Sequence, residues 1–266
     1  ILSTSFLIDN CNYAYEAWDN TPWGRVDDSL FLEYVLPFSS LNERRDNWRQ
    51  DFYERFFPIV KNAKSAYEAA AILNNNIFEM VGVIYSTKRP KADQSPYESI
   101  DAGLASCTGL SFMLIDACRS VGIPARFVGT PMWYNNSGNH SWVEIWDNGW
   151  HFTGAFEPTG DRLNEGWFAS LAARAVEGHP EYGIYAATWK KTGVFFPMDW
   201  KPGIEKYYAY DVTSSYQKYL DDNFVPLRIK VVGKNGMRKK VLVDVKADDG
   251  FLFSGYSNDE RNDAND

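Results

Sequence analysis

Ser106-Cys107-Thr108-Gly109, followed by Leu110, Met113, Leu114, Ala117, Cys118 and Val121, is the stretch that decides the fold. Its apolar positions recur at i, i+3, i+4 and i+7, the spacing of one helical face. Cys107 therefore falls in the first turn of a helix. Gly122 is placed as the C-terminal stop, and Pro124 follows where a helix cannot continue. A short strand is predicted from Ala125 to Gly129. His140-Ser141-Trp142-Val143-Glu144-Ile145-Trp146 then alternates strictly, Asp147-Asn148-Gly149 reads as a turn, and Trp150 to Phe156 reads as the returning strand. A cysteine-headed helix followed by antiparallel strands makes this part of the chain α+β.

Upstream, residues 1–95 are expected to be a mostly helical region that packs on the core. Phe52, Phe56 and Ile59 recur at helical spacing among charged residues, and the Ala-rich run to Leu73, with Ile77 and Val81, continues the pattern. Lys88 to Pro96 reads as a loop. Residues 96–225 are expected to hold the core and a helical extension, with helices over Trp167–Val176 and Tyr207–Leu220. Residues 226–266 are expected to form a β-hairpin opening a sandwich-like module. Its alternating Leu227, Ile229, Val231 and Val241, Val243, Val245 flank a Lys234-Asn235-Gly236 turn. The acidic end, Asn258–Asp266, is expected to fray.

Composition narrows the function. With 266 residues, a net charge of −8 and no basic run, the chain is not expected to bind nucleic acid or anionic membrane. No apolar stretch reaches the length of a spanning helix. An aromatic content of 16%, many Asn and Ile1 in place of Met predict a processed, exported chain. The three cysteines (Cys11, Cys107, Cys118) cannot all pair within one chain, and the lack of any CxxC together with only three histidines predicts no metal site or cofactor.

Cys107 is the candidate nucleophile. A helix N-terminus offers free N–H groups and the positive end of the macrodipole, which favour a thiolate and can bind an oxyanion. Cys118 lies three turns deeper and is assigned to the core. For the base, a two-residue Asn148-Gly149 turn sets His140 opposite Glu157, so that a carboxylate orients the imidazole. The same register sets His151 opposite Trp146, roughly 20 Å along the strand from His140, too far for the same site. His179 sits in an irregular stretch before Pro180. A three-residue turn would shift the pairing by one and bring Phe156 or Pro158 opposite His140, with Asp147 and Asp161 as fallback carboxylates. The Cys107 N–H is the default oxyanion donor; Gln94, Asn75 and Asn76 remain open as side-chain donors. Trp133 and Trp142 are candidates to line a substrate cleft, with core packing as the competing role.

Taken jointly, Ala105 to Gly109, Gly122-Ile123-Pro124-Ala125-Arg126, the His140–Trp146 strand and Phe156-Glu157-Pro158 resemble the transglutaminase-like superfamily over about residues 96–160. The resemblance implies a papain-like fold with a Cys-His-Asp triad, and Cys107, His140 and Glu157 fall on the matching positions. Glu157 stands where the family usually has Asp. The implied activity is a cysteine-dependent hydrolase that cleaves an amide or peptide bond through a thioester acyl-enzyme, on a peptide, protein or glycopeptide substrate and without a cofactor. Transfer to an amine and a glycopeptide or cell-wall amidase are the alternatives within that chemistry. An inactive carbohydrate- or protein-binding module is the alternative outside it. The sequence leaves the oligomeric state open.

Overall fold

In the computed structural model, which describes residues 2–220, 231–239, 241–247 and 250–257, the chain opens with helices α1 (Thr4–Asn20), α2 (Asp28–Leu30, running into a π-turn at Phe31–Val35), α3 (Arg49–Val60), α4 (Ala66–Val81) and α5 (Pro96–Ala102). Their ends follow from local chemistry. Ser65 and Ser95 cap α4 and α5 by accepting an N–H three residues on, and Glu98 returns the bond to Ser95 in a capping box. Gly82 ends α4 in the left-handed region at φ 70°.

Two short parallel strands, β1 (Ile84–Tyr85) and β2 (Leu104–Ala105), lead into α6 (Cys107–Ser120). Every residue of α6 after Cys107 is buried, as expected for a helix enclosed on all sides. It packs against α3, α4 and α5 on one side and against β3 (Ala125–Thr130) and β4 (His140–Trp146) on the other. One hydrophobic cluster joins Trp48, Phe52, Phe56, Leu73 and Ile77 to Leu110, Phe112, Met113, Phe127, Val143 and Ile145. Residues upstream of 96 and downstream of it thus share a core.

The main sheet is antiparallel, in the order β5 (Trp150–Thr153), β4, β3, β6 (Tyr185–Thr188), β7 (Tyr208–Asp211). It is covered on both faces. Val143 and Ile145 of β4 face α6, whereas Trp142 joins Val128, Phe152, Phe168 and Tyr216 in a second cluster that includes Ala172 of the short helix α7 (Ala169–Ala172). This alternation is the period of two of a strand.

Several expectations need correction. The β4–β5 register pairs Trp146 with Trp150 and Ile145 with His151, so the turn has three residues, 147–149, not two. Asn148 at φ 55° and the Asp147 N–H to Gly149 carbonyl bond (3.0 Å) close it. The predicted helix at Tyr207–Leu220 is instead β7 followed by a 3₁₀ helix, Thr213–Tyr219. Asp211 accepts the Thr213 N–H (3.0 Å) at the bend between them, and the alternating tyrosines 208 and 210 favour a strand. Of the helix predicted over Trp167–Val176, only α7 forms; Val176 donates to the Tyr182 carbonyl (2.8 Å) and leaves the helical path. The Lys234–Gly236 turn is present, with Val232 bridging Arg238. Further on, β8 (Leu242–Ala247) pairs with β9 (Gly250–Tyr256). The first part of the predicted hairpin, 226–230, and the acidic end, 258–266, lie outside the described residues.

Candidate active site

Ser106 is the N-cap of α6: it is extended, and its hydroxyl accepts the Gly109 N–H (3.2 Å) while donating to the Ala92 carbonyl (2.6 Å). Cys107 is therefore the first helical residue, where its own N–H and that of Thr108 have no acceptor within the helix. Burial by itself would raise the Cys107 thiol. A hydrogen bond from His140, the charge on that ring, and the backbone and hydroxyl of Ser141 outweigh it, so the thiol lies below the usual cysteine range. The Ser141 hydroxyl also contacts that of Thr108 (3.2 Å), which ties the start of β4 to the first turn of α6.

His140 is 6% exposed. Its Nε2 lies 3.4 Å from Glu157 Oε2, an ion-pair distance somewhat longer than a hydrogen bond. With Nε2 turned to the carboxylate, the other ring nitrogen is left for the thiol. Burial disfavours the charged ring, but Cys107 and Glu157 on either side overcome it and push its pKa up to about 9. A lowered thiol beside a raised imidazole favours the thiolate–imidazolium form of the pair over the neutral one.

Glu157 reaches His140 by a route that the hairpin arithmetic does not provide. In the observed register β5 ends at Thr153, and a continued ladder would have set Phe156 opposite His140. Instead, the chain folds back in a turn from Gly154 to Glu157: Gly154 and Glu157 bridge, Glu157 N–H donates to the Gly154 carbonyl (3.1 Å), and Phe156 takes φ 66°. The carboxylate then lies across Gly154, where a Cβ would collide with it. Glu157 remains one-third exposed.

Aromatic rings wall the imidazole. Trp167, 59% exposed, has its centroid 4.9 Å from the His140 ring, and buried Phe168 is at the same distance. Trp133 and Trp142 do not line an open cleft. They are 2% and 0% exposed, lie behind His140, and stack on each other at 6.1 Å; the Trp142 indole donates to Tyr216 Oη (2.7 Å). The period of β4 sends Trp142 into the second core cluster. A small hollow of about 10 Å³ lies instead beside His140 and Ser141, edged by Thr130, Phe196, Asp199 and Trp200.

The other candidates fall elsewhere. Asp147 accepts the Tyr67 N–H at the start of α4 (3.0 Å), and Asp161 is exposed in the turn bridged by Thr159 and Arg162. His151 is held by Asn164 (2.8 Å) and the Asp147 carbonyl (3.1 Å), and the His179 ring accepts the N–H groups of Glu181 and Tyr182. Cys118 is fully buried, and burial raises its thiol; Cys11 is exposed on α1. Gln94 is buried beside Gly109, with its amide N–H groups committed to the carbonyls of Glu98 (3.2 Å) and Leu104 (3.0 Å). Asn75 and Asn76 donate back to carbonyls of their own helix. None of the three presents a donor to Cys107. Ser141 and Trp167 are the site residues that sequence reasoning missed. Ser141 could have been found from strand parity, since the neighbour of His140 must face α6.

The transglutaminase-like superfamily matches residues 55–155, which includes Cys107 and His140 and stops just before Glu157. A solved structure named "Putative Cysteine Protease from Cytophaga hutchinsonii" is similar at 17% identity and a TM-score of 0.40, over 54% of this chain and 47% of its own. The similarity thus spans about half of that protein. No curated protein sequence matches the chain.

Proposed function

We propose, from the match of residues 55–155 to the transglutaminase-like superfamily, that the protein is a cysteine-dependent hydrolase of amide or peptide bonds. The observation that supports the reading best is the His140 ring, whose Nε2 lies 3.4 Å from Glu157 Oε2 and which shifts, and is shifted by, the Cys107 thiol at the head of α6. The Cys107 thiolate attacks the amide carbonyl carbon, and the C–S bond forms as the carbonyl oxygen takes up the displaced electron pair. First-turn N–H groups of α6 face that oxyanion. On collapse the C–N bond breaks, the imidazolium gives its proton to the leaving nitrogen, and a thioester remains on Cys107. Neutral His140 then takes a proton from water, whose oxygen attacks the thioester; the C–S bond breaks and the acid leaves. Glu157 stays ionised and holds the ring in register.

Peptides or glycopeptides are the proposed substrates, in an exported setting supported by the aromatic-rich, Asn-rich composition. The hollow beside His140 and Ser141 has no Lys or Arg in its lining and carries Asp199, which suits neutral or cationic chain segments.

The reading is tested by rapid acid quench of the protein mixed with a panel of peptides, glycopeptides and muropeptides, followed by intact-mass analysis. The expected result is an acyl adduct on Cys107 with at least one class, released to the free acid. Added lysine-like amine in the same reactions separates hydrolysis from transfer, because a transferase diverts product to the amide. No adduct and no product with any class, from protein shown to be folded, would overturn the proposal.

A further inference from the structure

Asn74 lies in the third turn of α4, next to the two asparagines considered as oxyanion donors, and differs from them in being 3% exposed. All its polar atoms are spent on one short segment. Its Nδ2 donates to Thr153 Oγ1 (2.9 Å) and to the Gly154 carbonyl (2.8 Å), and its Oδ1 accepts the Phe156 N–H (3.0 Å). Phe78, one turn further along α4, packs edge-on against the Phe156 ring at 5.5 Å. These groups belong to the turn whose last residue is Glu157. Nothing in the β4–β5 ladder fixes that turn, since strand pairing stops at Thr153.

We propose that Asn74 is a positioning residue of the active site: it clamps the 153–156 backbone to the buried face of α4 and thereby aims the Glu157 carboxylate at His140. The inference rests on the reading of Glu157 as the partner of His140. It gives the helical N-terminal region a part in the site. It also explains how Glu is accepted where relatives usually have Asp, because the longer side chain is set back by a folded turn. Phe156 at φ 66° is an unfavourable conformation for an aromatic residue. The Asn74 carbonyl bond to its N–H helps hold it there.

A structural role and a positioning role are separated by the titration of the His140 ring, followed by NMR in a Cys107→Ala background where no thiolate contributes. Replacing Glu157 by Gln should lower the His140 midpoint by about one pH unit or more, the usual effect of losing an adjacent opposite charge. Asn74→Ala should lower it in the same direction, and the Asn74→Ala/Glu157→Gln double variant should go no lower than Glu157→Gln alone. Asn74→Leu keeps the side-chain volume and gives the same reading should the alanine variant fail to fold. A midpoint unmoved by either Asn74 variant while Glu157→Gln lowers it would overturn the proposal, leaving the role of Glu157 intact. A midpoint unmoved by Glu157→Gln as well would remove Glu157 from the site and Asn74 with it. The acyl-adduct experiment judges the hydrolase reading independently.

Discussion

Replacing Cys107 by Ala is expected to bring turnover of any substrate to the background, a loss on the order of a millionfold as seen when a covalent nucleophile is removed. The discriminating comparison is Cys118→Ala. That thiol is buried in the same helix, 11 positions further on, and burial raises its pKa. Its removal should cost stability through a small cavity and leave turnover per folded molecule unchanged. Steady-state rates of the two variants, normalised to folded protein, check this. Equal losses in both would mean that helix packing, not Cys107 chemistry, is being read.

The second large effect is expected in stability. Arg126 and Glu144 face each other across β3 and β4, with Nη2 2.6 Å and Nε 2.7 Å from Glu144 Oε2, and both side chains are almost fully buried. Tyr216 Oη donates to the other carboxylate oxygen (2.6 Å), and the Arg126 guanidinium lies 3.7 Å from the Trp150 ring centre. Glu144→Ala leaves the arginine without its counter-charge in the interior, and a loss of about 3–5 kcal/mol is expected in urea unfolding. An Arg126→Met/Glu144→Leu double variant removes both charges and should be far less destabilised than the single one, since desolvation offsets most of the Coulombic attraction. A double variant as unstable as the single would show that the pair is net stabilising here.

How far the sequence could be read follows from what each residue depends on. The cysteine-headed helix and the strand opened by His140 were legible, because apolar periodicity and caps are local signals. Arg126 and Glu144 appeared only as parts of a family resemblance; their cross-strand register supplies the physical reason for both. Glu157 was identified through a wrong register. The ladder carries one more turn residue than assumed, and the carboxylate arrives by the Gly154–Glu157 turn. Such a turn depends on Asn74, 80 residues before Gly154, and no local pattern encodes that. One signal did exist: Asn74 shares the apolar face of α4 with Ala70, Leu73 and Ile77, where a polar residue needs buried partners. Trp133 and Trp142 were misplaced for a related reason. Alternation shows that a strand has two faces, but not that both are covered. The strands β6 and β7 were missed because they are short and set among irregular segments.

If His140 holds Cys107 as a thiolate, the rate of Cys107 alkylation by iodoacetamide as a function of pH will report it. Site-specific labelling, resolved by peptide mass, should show Cys107 reacting rapidly near neutral pH with an acid limb below the ordinary cysteine range of about 8–9, while Cys118 stays unlabelled. In His140→Ala the limb should move up into that range and the neutral-pH rate should fall. The same profile in wild type and His140→Ala, with the limb of an ordinary thiol, would contradict the account.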